Sequence, residues 1–138
     1  MTIEQYRARL RRKADAATSA MTRAYLESVQ EDHRRGTLIA AGRVYLMPGG
    51  IPHRASAPGQ PPAVRPDPIG GRLLAAMNLA KVRPLVYQAG VDDPEQGQIA
   101  IYLEYGTNKM EPRPLWRFNL EQMKSSGELS QAYRKGFR

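Results

Sequence analysis

Nucleophilic or acid–base chemistry needs a nucleophile, a base and a group that orients the base, and few residues of this chain qualify. The imidazoles are His33 and His53. His33 follows Glu31 and Asp32 at the end of a helical stretch, and His53 lies near Ser56 in a proline-rich stretch. A serine triad needs a histidine held by an acid, and a solvated histidine is the simpler reading of both. Asp92 and Asp93 are adjacent beside Pro94. Neighbouring side chains do not converge on one site, so these two do not make an acid/base pair. Cysteine is absent, which excludes disulfides, thiolate zinc sites and thiol catalysis. Two histidines cannot furnish a multi-histidine metal site. Neither a Walker A pattern nor G-x-G-x-x-G occurs, and Gly49-Gly50 and Gly70-Gly71 read as turns. No catalytic residue, metal or cofactor is therefore expected.

Charge is the stronger signal. The 138 residues carry 21 Lys and Arg against 13 Asp and Glu, a formal charge of +8. Such a balance speaks about partners rather than fold. The one dense run is Arg7, Arg9, Arg11, Arg12 and Lys13. On a helix these charges spread around the circumference, as a solvated face would, and they are also the candidates for phosphate contact. Aromatic platforms for stacking bases are not interleaved with them. Glu104 is the odd acid, set among Ile99, Ile101, Leu103 and Tyr105. A carboxylate in an apolar segment is normally paired, with Arg113, Arg72 or the backbone N–H groups of the 106–111 turn as expected partners.

The elements that must position these groups follow from periodicity. Ile3, Tyr6, Leu10, Ala14, Ala17, Met21 and Ala24 recur at helical steps. Thr2 and Gln5 have capping-box spacing, and Gly36 reads as the stop of a helix over 3–35. Thr37–Met47 suggests a strand with Gly42 as a bulge. Residues 48–68 hold seven of the eleven prolines, which excludes helix and central strand. This stretch reads as an extended arm that lies on a partner, with Pro48, Pro52, Pro58, Pro61, Pro62, Pro66 and Pro68 as its contact residues. Residues 71–82 read as a short helix or the start of a strand, and 84–91 as a strand. Residues 99–105 alternate as a strand would, although four alternating positions are weak support. Residues 115–124 have helical spacing, Gly127 interrupts, and Leu129, Tyr133 and Phe137 mark a further helix. The chain thus reads as one α+β domain over 1–138: a long N-terminal helix on a small twisted antiparallel sheet, a proline-rich loop and a C-terminal helix. Apolar runs fall far short of the ~20 residues that span a bilayer, and no signal peptide is read.

Several segments carry a resemblance in consistent order. They are Ser56-Ala57-Pro58-Gly59-Gln60-Pro61-Pro62-Ala63-Val64, then Gly71-Arg72-Leu73-Leu74, then Ile101-Tyr102-Leu103-Glu104-Tyr105-Gly106-Thr107, then Met110 and Arg113-Pro114-Leu115-Trp116. Together they resemble the tail-component family of tailed bacteriophages, small proteins of the head–tail junction, over about half the chain (residues 56–124). Gly71, Leu73, Tyr102, Glu104, Gly106, Thr107, Pro114 and Trp116 are the motif positions. Two departures stand out: Pro68-Ile69-Gly70 interrupts the step before Gly71, and the aromatic expected after Pro114 is displaced to Trp116.

The resemblance implies a non-enzymatic virion protein of the neck, or a tail terminator capping the tail tube, assembled in the host cytoplasm. It implies a homo-oligomeric ring, six-fold by expectation, in contact with connector or stopper and tail-tube proteins and with passing double-stranded DNA, and no membrane partner. It also favours a short helix at 98–105 over the alternating strand. A nucleic-acid-binding module built on the basic N-terminal helix is the competing reading, and a small hydrolase a third. Trp116 is expected to anchor the C-terminal helix in the core.

Overall fold

The computed structural model describes residues 1–47, 49–66 and 71–138. The first helix, α1 (Ile3–Leu38), runs for 36 residues, about 54 Å at 1.5 Å per residue. Its start is the expected capping box. Thr2 Oγ1 accepts from Gln5 N at 3.1 Å, and Thr2 N donates to Gln5 Oε1 at 2.9 Å. Gly36 is not its stop. It lies inside the helix, where an added Cβ would stand 2.5 Å from the Pro61 carbonyl oxygen. The glycine permits close backbone approach rather than terminating the helix.

Two separate two-stranded antiparallel sheets take the place of the single sheet expected. The first pairs β1 (Val44–Met47) with β2 (Ile51–Arg54). β1 is shorter than the strand read from 37–47, and Gly42 lies before it. An added Cβ at Gly42 would fall 2.6 Å from the Ala55 carbonyl oxygen, so it too serves close approach. β2 contains Pro52. A two-stranded ribbon has only edge strands, and an edge tolerates the missing N–H. The second sheet follows α2 (Arg72–Ala76) and pairs β3 (Met77–Arg83) with β4 (Val86–Val91), so residues 71–82 are helix and then strand.

Asp93 caps α3 (Pro94–Tyr105), accepting from Glu95 N and Gln96 N, with Pro94 at its first position. The helix, not the alternating strand, occupies 99–105. α4 (Trp116–Ser126) and α5 (Glu128–Phe137) follow, separated by Gly127 at φ 82°, the left-handed value that favours glycine.

The core gathers Leu26 and Val29 of α1, Leu73, Met77 and Leu115, with Trp116 half-buried against them. α5 packs along the first half of α1, where an added Cβ at Gly136 would lie 2.7 Å from Ala20 Cβ. The β3–β4 turn is tied to α1 by Asp15. Its carboxylate accepts from Leu85 N (2.8 Å), Tyr87 Oη (2.7 Å) and Lys81 Nζ (3.2 Å). Leu85 has φ 67°, an unusual value for a branched residue, and the Asp15 bond holds it there.

Candidate functional site

α4 begins without a cap of its own. Leu115 occupies the cap position and offers no side-chain acceptor, so the first N–H groups of the helix need an acceptor from elsewhere. Glu104, at the end of α3, supplies it. Its Oε2 accepts from Leu115 N (2.8 Å) and Trp116 N (3.0 Å), and its Oε1 from Arg117 N (2.8 Å) and Arg117 Nε (3.2 Å). Glu104 is 5% exposed. It is a remote N-cap placed where the helix dipole favours negative charge. The expected partners Arg113 and Arg72 do not form its ion pair, and neither do the N–H groups of 106–111. The charge partner is Arg117, whose guanidinium also lies over the Tyr105 ring at 4.5 Å. Tyr25 of α1 donates to the Trp116 carbonyl at 2.7 Å and meets the Trp116 ring edge-on at 5.9 Å. Burial, with the nearby Glu104 charge, pushes the Tyr25 hydroxyl up to about 12.

The rest of the motif builds the approach to this cap. Gly106 has φ 77°, and an added Cβ would fall 2.8 Å from the Met110 carbonyl oxygen. Thr107 N and Met110 O close the loop at 2.8 Å, and Thr107 Oγ1 accepts from Lys109 N at 3.2 Å. Gly71 (φ 101°) would carry a Cβ 2.5 Å from Val64 Cγ1, and Leu73 is core. Pro114 is half-buried and Tyr102 exposed.

The proline-rich stretch is placed in two ways. Pro61, Pro62 and Ala63 are buried on the chain's own α1, whereas Pro52, Pro58 and Pro66 are exposed. Pro48 and Pro68 lie outside the described residues. The stretch is stitched to the α3–α4 loop by Gly59 N to Pro112 O (3.2 Å) and Arg113 Nε to Ser56 O (3.0 Å). His33 is not solvated, contrary to the sequence reading. It is 2% exposed, and its Nδ1–H donates to the Pro62 carbonyl. Desolvation, with Arg34 adding to it, lowers its affinity for a proton. It faces away from the polar side of the helix because the Pro61-Pro62 backbone, admitted by Gly36, covers that turn.

Between these segments lies a cleft of about 540 Å³, whose walls include His33, His53, Ser56, Arg72 and Arg113. The motif segments, dispersed in sequence, thus meet around one cavity. Ser56 is buried and its Oγ has no hydrogen-bond partner. Neither histidine is hydrogen-bonded to that hydroxyl. Asp32, beside His33 in sequence, is committed to Arg35 and Asn119. Among the described residues no cluster of His, Asp and Glu could hold a metal, and no helix is long and apolar enough to cross a membrane.

The basic run lies on the first turns of α1. Arg7, Arg9, Arg11 and Arg12 are exposed, and none forms an ion pair among the described residues. Lys13 instead lies over the Phe137 ring at 5.9 Å. Large apolar residues are exposed on several elements: Ile3, Tyr6, Leu10 and Leu38 on α1, Val44, Tyr45, Leu46 and Ile51 on the β1–β2 hairpin, Val82 and Leu85 at the β3–β4 turn, Ile101, Tyr102 and Tyr105 on α3, and Phe118 and Leu120 on α4. No protein-family model, curated protein or solved structure matches the chain.

Proposed function

We propose that this chain is a non-enzymatic building block of a ring at the head–tail junction of a tailed bacteriophage, in the neck or capping the tail tube. The observation that carries the reading is the exposed apolar surface on the hairpin and the start of α1. Leu46 at the hairpin is 77% exposed and Ile3 at the helix start 72%. Contiguous exposed apolar surface on a small protein marks contact with other proteins, and both strands of each ribbon keep an unpaired edge. A protomer with two dissimilar exposed apolar segments suits head-to-tail contacts, which make a ring where the rotation between copies closes. The ordered motif resemblance over residues 56–124 supplies the setting. Labelled antibody against the chain should mark the neck of purified virions, and label on the capsid shell or baseplate rejects the assignment. Leu46→Lys should leave the melting temperature unchanged and abolish incorporation into particles.

The free arginines at the start of α1 favour a second role within the first, non-specific contact with DNA phosphates. Each such contact contributes about 0.9 to the slope of log affinity against log salt. Binding that survives Arg7→Gln/Arg11→Gln with an unchanged slope refutes that role.

A further inference from the structure

Two surfaces of α1 and its neighbours complement one another. From Arg7 to Glu27 they stand about 30 Å apart at 1.5 Å per residue. The first is the start of α1. Ile3, Tyr6 and Leu10 share one face at about 100° per residue and are 72%, 53% and 38% exposed. Arg7 and Arg11 run along one flank of this stripe, exposed and in no ion pair among the described residues. The cover given by α5 reaches Ala17 through Gly136 and Lys13 through Phe137, and the stripe lies before it. The second surface is a groove of about 810 Å³ between α1 and α4, with Glu128 of α5 on its wall. That wall holds four of the chain's 13 carboxylates, Glu27, Glu31, Asp32 and Glu128, against two of its 21 Lys and Arg. Both cations are already spent, Arg34 on Glu31 and Arg35 on Asp32. Glu27 and Glu128 are exposed and have no cation among the described residues. Phe118, 48% exposed, gives the groove an apolar wall.

We infer that the first turns of α1 in one copy dock in the α1–α4 groove of a second copy. Arg7 and Arg11 meet Glu27 and Glu128, and the stripe of Ile3, Tyr6 and Leu10 lies on Phe118. The inference rests on the ring reading above and names the contact between its copies. Charge selects the occupant. Two α1 starts laid face to face set arginine against arginine, and like charges across an interface are costly. DNA phosphates engage the arginines but leave the stripe bare, and an anionic lipid surface leaves the acidic groove without a partner. A second copy satisfies both surfaces at once. Because the two lie at separate places on the chain, the contact runs head to tail. Three turns of helix are about 15 Å long and ~10–12 Å across, so one contact covers far less than the ~800 Å² per partner of a standard interface. A single contact is therefore weak, and closure of the ring holds the copies together.

The test is a charge swap in the purified full chain, read by sedimentation up to about 1 mM, where weak contacts populate. The parent should self-associate with rising concentration. Arg7→Glu/Arg11→Glu and Glu27→Lys/Glu128→Lys should each self-associate about tenfold more weakly or worse, since each sets like charges against one another. Mixed one to one they should associate again, because each then offers the other an opposite charge at both contacts. Acids near the start of α1 suit the helix dipole, so the first variant keeps its fold. Glu128 lies in the first turn of α5, and if its reversal lowers the melting temperature, Glu27→Lys alone takes its place with a severalfold effect. The chain has no cysteine, so a nitroxide on Glu4→Cys of one copy can be placed without ambiguity. It should broaden the Glu27, Gln122 and Glu128 amides of a second, isotope-labelled copy. No association of the parent, self-association unchanged in both variants, no rescue on mixing, or broadening centred on the β1–β2 hairpin overturns the inference. Neck labelling of virions alongside such a failure leaves the ring reading standing on another contact. Rescue on mixing with label away from the neck keeps this contact and rejects the neck.

Discussion

Removing the Glu104 carboxylate should destabilise the protein more than any single ion pair would. In Glu104→Ala three backbone donors lose their acceptor at once: Leu115 N, Trp116 N and Arg117 N. Leu115 is 3% exposed, so its N–H cannot turn to water. One unsatisfied buried donor costs about 1–3 kcal/mol, and losing a helix cap costs about 0.5–2 kcal/mol. The sum is about 3 kcal/mol, or roughly 10 °C in melting temperature for a domain near this size. Glu104→Gln keeps one oxygen but turns an amide NH2 toward an N–H donor, and should cost about 2 kcal/mol. Arg117→Ala is the control. Its side chain is 52% exposed, so its ion pair with Glu104 contributes less than about 1 kcal/mol. Urea melts of the three variants at neutral pH, with circular dichroism to follow α4, read the difference. If Glu104→Ala melts within about 2 °C of the parent, or if Arg117→Ala costs as much, the remote cap does not hold α4 and the reasoning fails.

Three further outcomes are expected. Gly36→Ala forces a Cβ to 2.5 Å from the Pro61 carbonyl oxygen and should lose about 1–3 kcal/mol, with faster hydrogen exchange over 61–64 as the specific readout. Gly97→Ala, inside α3 with nothing within 4 Å of the added methyl, should instead gain about 0.5–1 kcal/mol in the same melts. His33 is held neutral by burial, below its ordinary value of 6.5, so the unfolded chain binds its proton first. Stability is retained above about pH 6.5 and falls on acidification by up to about 1.4 kcal/mol per unit from this group. His33→Asn, which keeps a donor for the Pro62 carbonyl, should flatten the profile between pH 7 and 5, and an unchanged profile refutes the assignment.

Much of the fold is legible in local sequence, because local sequence decides caps and breaks. Thr2 with Gln5, and Gly127 between α4 and α5, act within a few residues, and each is where its pattern places it; Asp93 with Pro94 caps α3, a helix start that the alternating residues after it disguise. The misreadings concern contacts between distant segments. Gly36 looks like a stop because glycine usually ends helices, but the reason for it is the backbone at Pro61 and Pro62. His33 reads as solvated from its charged neighbours Glu31, Asp32 and Arg34, and only that same backbone buries it. Glu104 was identifiable as a paired acid, yet its partners were not. One signal was available: Leu115, at the start of α4, cannot cap a helix, so a neighbouring acid has to. Asp15 carried no such signal, since its three donors lie some seventy residues away on the β3–β4 turn. The orphaned Ser56 hydroxyl is likewise invisible until the cleft closes around it.

The packing of α5 along α1 sets a schedule for biosynthesis. Gly136 rests against Ala17 and Ala20, so the leading helix leaves the ribosome long before its cover has been translated. At about 5–20 residues per second, the wait across the intervening chain is on the order of ten seconds. Throughout that interval the alanine face is bare, and a nascent chain in a crowded polysome can meet the same face of its neighbour before its own last helix arrives.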